Sequence, residues 1–294
     1  MSRFQMLTDA QFDKIADLLP DPVGRPGRPF SDPRRTVEGI IYRLRAGIPW
    51  RDLPECFGSW QTVHRWHHRL AIDGTWDTIL QRLLAQADAD DMIDWSVSVD
   101  STINRAHQHA TNITRHTQGA SSNYTNLLTE PADHAFGRSR GGLSTKIHAM
   151  VDGAGMPLVM LLTPGQAGDN PMCVPLLEQF RVPRRAGRPR TRPDELRADK
   201  AYSSRQVRDY LRRRRIKATI PEPADRVGNR KRKGQRSGRP PAFDAESYKS
   251  RNVVERRFCD FKQWRGLATR YDKHALVYRA GVLIAAVVAW LRRL

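Results

Sequence analysis

Two β-rich runs, Thr145 to Val151 and Pro157 to Leu162, flank the tetrapeptide Asp152-Gly-Ala-Gly155. An Asp-Gly turn between such runs predicts an antiparallel hairpin. A lone hairpin is marginal in water, so further elements must cover it. Upstream, Trp95, Val97 and Val99 alternate with Ser96, Ser98 and Asp100, which predicts a half-buried strand with Asp100 at its end on the polar face. Downstream, Gly165 to Asn170 reads as a loop. Pro171 suits the first turn of a following helix, which Pro175 would delay or kink. Leu196 to Asp199 reads as a short strand ending in a second aspartate, Ser203 caps a helix running to Arg214, and Ile216 to Ile220 forms a last strand.

The stretch Tyr248 to Lys262 contains no Gly or Pro and predicts a helix of at least four turns. At about 100° per residue, Tyr248, Arg251, Glu255 and Lys262 fall in one arc beside an apolar stripe of Val254, Phe258 and Phe261. Taken alone, Arg251 and Glu255 could be an exposed i,i+4 pair worth a few tenths of a kcal/mol. The order of elements argues for more. Strand with Asp, hairpin, helix, strand with Asp, helix, strand and helix with Glu describe an α/β, ribonuclease-H-like mixed sheet. In that topology the Asp100 strand is central and neighbours the Asp199 strand, and the Glu255 helix packs across the sheet. Three carboxylates at one point repel one another, and a divalent cation removes that cost. Mg²⁺ prefers such hard oxygen ligands, and two ions about 4 Å apart can drive in-line phosphoryl transfer.

Residues 1–92 read as helical. Thr8 and Gln11 form a capping box for a helix from Asp9 to Leu19, and Val37, Ile40, Ile41 and Leu44 mark a helix ended by Gly47. A short helical turn around Trp50 to Cys56, Gly58 and a helix capped by Ser59 follow. This is the order of a helix-turn-helix. Trp60, Val63, His67 and Leu70 point inward, and Gln61, Arg65 and His68 share the opposite face, where Gln and Arg suit adenine and guanine edges. A small bundle with an ordinary solvated face would read the same. The tryptophans Trp50, Trp60, Trp66 and Trp76 suit a core.

The net charge is +19, and residues 181–240 hold 22 Lys and Arg against 6 Asp and Glu, a net +16. Such concentration points to a polyanion, with nucleic acid the commonest. Arg outnumbers Lys 41 to 9, which fits phosphate recognition and equally a GC-rich genome. Cys56, Cys173 and Cys259 form neither a disulfide framework nor a metal motif and suit a reducing cytosol. His107, His109, His116 and His134 are irregularly spaced, with no Cys among them, and do not favour zinc. The N-terminus lacks a signal peptide's apolar core. The apolar run Ala280 to Leu291 is too short to span a bilayer and reads as a buried helix or a self-association surface.

Tyr248-x2-Arg251-x3-Glu255-x6-Lys262 resembles the signature of insertion-sequence DDE transposases. RNVVERRFCDFKQWRGLATRYDK (Arg251 to Lys273), WRDLPECFGSWQTVHRW (Trp50 to Trp66), VDSTINRAHQH (Val99 to His109), GRSRGGLSTKIHAMVDGAGMPL (Gly137 to Leu158) and ADKAYSS (Ala198 to Ser204) are similar to the IS-five family of bacterial transposases. The resemblance implies that Asp100, Asp199 and Glu255 coordinate two Mg²⁺ ions, with Mn²⁺ able to substitute. Tyr248, Arg251 and Lys262 would hold the transposon end. The implied partner is double-stranded DNA, both inverted-repeat ends and target, bound by a homo-oligomer in the bacterial cytoplasm at the nucleoid, with no membrane and no small-molecule substrate. Residues 1–92 would be the helix-turn-helix-like DNA-binding domain. Residues 93–273 would be the catalytic domain, with a polar insertion at 101–142 and a basic linker at 224–241, and 274–294 a C-terminal helix. Two other classes fit parts of the chain: a DNA-binding regulator with a dead catalytic domain, and a nuclease that only hydrolyses.

The charge generates a first test. Duplex binding should weaken steeply with salt, because each neutralised phosphate releases counterions. Replacing Arg230, Lys231, Arg232 and Lys233 by Ala should flatten the slope of log affinity against log salt, measured by fluorescence anisotropy, without erasing sequence preference.

Overall fold

A computed structural model describes residues 4–20, 30, 32–115 and 128–294. The GRPGRP segment at 24–29 and His116 lie outside the described residues. The sheet is laid out from β1 (Ser96–Ala106). On one side β1 pairs antiparallel with β3 (Gly142–Val151), from Ser98 opposite Val151 to Arg105 opposite Ser144. On the other it pairs parallel with β5 (Glu195–Ala198), Val99 opposite Ala198, and β5 pairs parallel with β6 (Lys217–Thr219). Beyond β3 lies β4 (Pro157–Pro164), the hairpin partner, while β2 (Gly137–Ser139) pairs with the start of β3. β7 (Thr269–Arg270) pairs parallel with the end of β1. β4 is buried along its whole length, which explains its unbroken apolar character.

The hairpin turn is held by Asp152. Its buried carboxylate accepts from the backbone of Ala154 (3.0 Å), Met156 (2.7 Å) and Asp94 (3.3 Å). Gly155 takes φ 82°, and a Cβ there would meet the Val253 carbonyl oxygen at 3.3 Å.

Among the described residues four helices precede the sheet: α1 (Asp9–Ala16), α2 (Pro33–Ala46), α3 (Trp60–Ile72) and α4 (Thr75–Ala89). The Thr8–Gln11 capping box forms, but α1 ends before Leu19. Gly47 ends α2 in the left-handed conformation, and two short 3₁₀ turns link it to α3, whose first turn Ser59 caps. Val63, His67 and Leu70 are buried, while Trp60 is only half-buried.

After β1 come α5 (Gln108–Thr111) and α6 (Cys173–Gln179). Pro171 falls in a 3₁₀ turn, and Pro175 sits in the first turn of α6, where its missing N–H costs nothing. α7 (Arg205–Arg213) is capped by Ser204 rather than Ser203, which ends the preceding 3₁₀ turn. The remaining helices are α8 (Ala224–Lys233), α9 (Ala245–Lys249), α10 (Asn252–Lys262), α11 (Arg265–Ala268) and α12 (Ala275–Leu291).

Three further expectations change. First, β1 does not end at Asp100: it runs six residues further, so part of the expected 101–142 insertion is sheet. Polar residues are tolerated there because they find partners, as buried Asn104 does with the Leu267 carbonyl (2.7 Å) and the Tyr278 hydroxyl (2.8 Å). Second, the expected linker at 224–241 contains α8 and a 3₁₀ turn. Arg230 on α8 is turned inward to Glu222, whereas Lys231, Arg232 and Lys233 are exposed. Third, Tyr248 to Lys262 is not one helix. α9 stops at Lys249, and Arg251 is the N-cap of α10. Ser247 of α9 is tied to Glu195 of β5 (2.8 Å), while α10 is set by burial of Val254, Phe258 and Phe261. The break lets both anchors be satisfied.

α12 is the buried alternative of the two readings. It packs against α3, α4 and β4, and among its residues only Leu276 and Ala289 are not buried. Arg279 forks onto Asp77 of α4 (3.0 and 2.5 Å), and the Trp290 indole donates to the Pro157 carbonyl (2.8 Å). No helix among the described residues is long and apolar enough to cross a membrane.

Burial pushes the Asp152 carboxyl up to about 6 from its ordinary 3.8, with the backbone hydrogen bonds offsetting only part. Because the folded value lies above the unfolded one, the stability this group contributes is present in acid and lost as pH rises through about 6. Asp152→Asn should remove that dependence. The melting-temperature difference, wild type minus Asn variant, is expected to fall between pH 4.5 and pH 7 (approximate bounds).

Candidate active site

Val99 and Ala198 are paired on neighbouring parallel strands, so Asp100 and Asp199, the next residue of each, lie side by side. Asp199 leaves the sheet as the N-cap of a 3₁₀ turn, its carboxylate accepting from the Ala201 N–H (2.7 Å). α10 crosses β1 and β3 and brings Glu255 over the same place. Arg251 joins the elements: Nη1 donates to Asp100 Oδ2 at 2.8 Å, and Nη2 donates to Glu255 Oε1. The structure thus ties Glu255 to Asp100 through Arg251 and sets Asp199 next to Asp100, without gathering all three carboxylates within 4.8 Å of one another.

Burial, with Asp199 adding to it, pushes the Asp100 carboxyl up, while the Ser101 N–H and Arg251 act against that rise. The Asp100 side chain is 22% exposed and that of Glu255 is 55% exposed, so the cluster opens to solvent on the α10 side. All donors are carboxylate oxygens, the hard ligands that suit Mg²⁺ or Mn²⁺. A guanidinium already lies between two of them. The donor set fits a divalent cation.

The other signature residues divide. Lys262 is exposed two turns beyond Glu255 on α10, on the same side of the helix. Tyr248 lies on α9, its ring 5.3 Å from that of Phe243, with the Arg251 guanidinium 5.8 Å away. It does not share a helical row with Glu255. Gln61 and Arg65 are exposed on α3, far in sequence from the acids. His68 is not on that solvent face: it is half-buried, its ring 4.4 Å from His64 and 6.3 Å from His274.

Sequence reasoning missed the support behind Asp100. The Ser101 N–H donates to Asp100 Oδ1 (2.8 Å), and its hydroxyl donates to Asp169 (2.6 Å) in the loop after β4. Lys146 on β3 donates to Asp169 (2.8 Å) and to the Ala167 carbonyl (2.6 Å). Tyr202 is fully buried, its hydroxyl lacks a partner among the described residues, and burial plus Asp169, Asp100 and Asp199 push its phenol far up. No spacing in the chain marks Lys146 or Asp169. Only the tertiary fold, which brings the loop after β4 back to β1 and β3, juxtaposes them.

Residues 94–290 match the transposase DDE domain family, and residues 7–80 match a family described as putative transposases of the IS4/5 family. The chain belongs to the DDE transposases, proteins that act on DNA with divalent metal ions. Among relatives, it is 30% identical over 150 residues to a putative transposase for insertion sequence element IS6501 of Brucella ovis, covering 51% of this chain and 100% of that protein. It is also 35% identical over 112 residues to an uncharacterized 16.2 kDa protein of insertion element IS402 from Burkholderia cepacia, covering 34% of this chain and 74% of that one. An uncharacterized protein of Sinorhizobium fredii is 35% identical over 104 residues, 35% of this chain and 79% of the relative. No solved structure matches.

Burial acts to raise the Asp169 carboxyl, but hydrogen bonds from Lys146 and Ser101 outweigh it and leave the group below its ordinary range. Its stabilisation is therefore present above the ordinary carboxylate pKa and lost as pH falls through the depressed one. Asp169→Asn should cost about 1–3 kcal/mol at neutral pH. Urea titrations should show wild type and variant converging in acid.

Proposed function

We propose that the chain binds the terminal inverted repeats of an insertion sequence, cleaves at its ends and joins them to target DNA, using a ribonuclease-H-like catalytic domain. The observation that supports this reading is that Arg251 bonds both Asp100 and Glu255, while the pairing of Val99 with Ala198 sets Asp199 next to Asp100. The order of strands supports it as well: β4, β3 and β1 antiparallel, then β5 and β6 parallel.

Asp100, Asp199 and Glu255 would hold two Mg²⁺ ions, or Mn²⁺ in their place, which supply activation of the attacking oxygen and charge stabilisation at the leaving one. Ser101, Lys146 and Asp169 fix Asp100 from behind. Arg251 keeps Asp100 and Glu255 at one point, and a phosphate oxygen of bound DNA would compete with those carboxylates for its fork. Tyr248 and Lys262 flank the acids and hold the DNA strand. Gln61 and Arg65 read base edges from a helix-turn-helix-like domain in residues 1–92. Lys231, Arg232 and Lys233 follow phosphates, with Arg230 occupied by Glu222. Action as a homo-oligomer, on DNA in the bacterial nucleoid, completes the reading.

Glu255→Gln keeps length and helix propensity but replaces a charged oxygen donor by an amide. Cleavage of a labelled transposon end with Mg²⁺ should fall by about 100-fold or more. Stability should stay within about 1 kcal/mol, and end binding should persist. Wild-type cleavage by the Gln variant would remove Glu255 from the site. Detection of joined products in the wild type separates a transposase from a nuclease that only hydrolyses.

A further inference from the structure

A second group of ligand atoms lies away from the acids. Glu130, His134 and His274 each offer one such atom, all within 4.8 Å of one another. Glu130 Oε1 is 2.6 Å from His134 Nδ1 and 3.8 Å from His274 Nδ1, and the two imidazoles stand edge to face with centroids 5.5 Å apart. Ligand atoms about 2.0–2.1 Å from a tetrahedral zinc ion lie about 3.4 Å from each other. The two separations from Glu130 straddle that value and the third is at most 4.8 Å, so shifts on the order of 1 Å would convert this cluster into a coordination sphere.

We propose that Glu130, His134 and His274 bind a transition-metal dication of the zinc class. Two imidazoles and one carboxylate make a donor set that suits zinc and leaves a fourth position for water. Mg²⁺ is a poor match, because it favours oxygen ligands. The carboxylate is already oriented: Glu130 accepts from the backbone of Ala275 (2.6 Å) and Leu276 (2.9 Å) at the start of α12. Such outer hydrogen bonds fix a ligand before the metal arrives. His134 is held in a tight turn, its N–H donating to the Pro131 carbonyl (2.8 Å), with φ 52°. A positive φ in a non-glycine residue is a form of strain that concentrates at functional positions. Nearby, the buried Arg270 guanidinium also feels the negative charge of Asp272, Glu130 and Asp133.

The consequence is mechanical. Bound metal would clamp the segment around residues 130–134 to the N-terminus of α12, the helix that packs on α3 and α4. Without metal, the same residues are a helix cap with a His134–Glu130 hydrogen bond, and that alternative makes the opposite prediction.

The test uses the full chain without a histidine tag, stripped with chelator and titrated with Zn²⁺ in excess Mg²⁺, which fills the carboxylate-only site. Competition with a chromophoric chelator should show one zinc ion per chain, and the melting temperature should rise as zinc is added. His274→Ala changes a half-exposed side chain, and His134→Asn keeps a residue that tolerates positive φ. Each should weaken zinc binding by at least about tenfold and abolish the thermal shift. Should His134→Asn not fold, the His274 variant decides alone. No competitive binding by the wild type overturns the proposal, and so does undiminished binding by the His274 variant. Neither result bears on the acids of the DDE site, so the transposase reading stands or falls separately.

Discussion

Carboxylates that repel one another stay together only where the chain gives them no alternative. Here that constraint is the parallel pairing of β1 with β5, which sets Asp100 beside Asp199 whatever their charges prefer. Arg251 then compensates part of the cost by bonding Asp100 and Glu255 at once. A buried charge left without such a partner would destabilise the fold by several kcal/mol. The same guanidinium registers α10 against the sheet, so one side chain sets both electrostatics and helix position.

Rigidity behind the site comes from the polar back of β1. Ser101 passes one hydrogen bond to Asp100 and another to Asp169, and Lys146 closes the network from β3. Glu195 does similar work one strand over, binding Thr219, Ser247 and Arg197 and so fixing α9 ahead of α10. These are buried or half-buried networks whose members satisfy each other, a condition under which polar groups order a core instead of weakening it.

α12 links this sheet to the N-terminal helices. Its apolar surface is covered by α3 and α4 on one side and β4 on another, and Arg279 and Trp290 fasten it to Asp77 and Pro157. A single apolar cluster runs through both parts. The α3 helix that carries Gln61 and Arg65 and the sheet that carries the acids therefore share one core.

Periodicity made much of this legible. The hairpin around Asp152, the strands at Val97 and Leu196, the capping box at Thr8 and the left-handed stop at Gly47 follow from local chemistry acting within a few residues, which is why sequence alone determined them. The three acids could be named because the order of elements suggested one sheet and the motifs around them resemble those of a known family, although β1 in fact runs on past Asp100. Tertiary structure decided what local rules leave open. β1 continued through polar residues because distant groups such as Leu267 and Tyr278 satisfy Asn104. The helix at Tyr248 broke because Ser247 and Val254 are anchored on different surfaces. Lys146 met Asp169, and His134 met His274, through strand register and helix packing across many residues. No one-dimensional spacing encodes such meetings, because they depend on how separate elements share one buried volume.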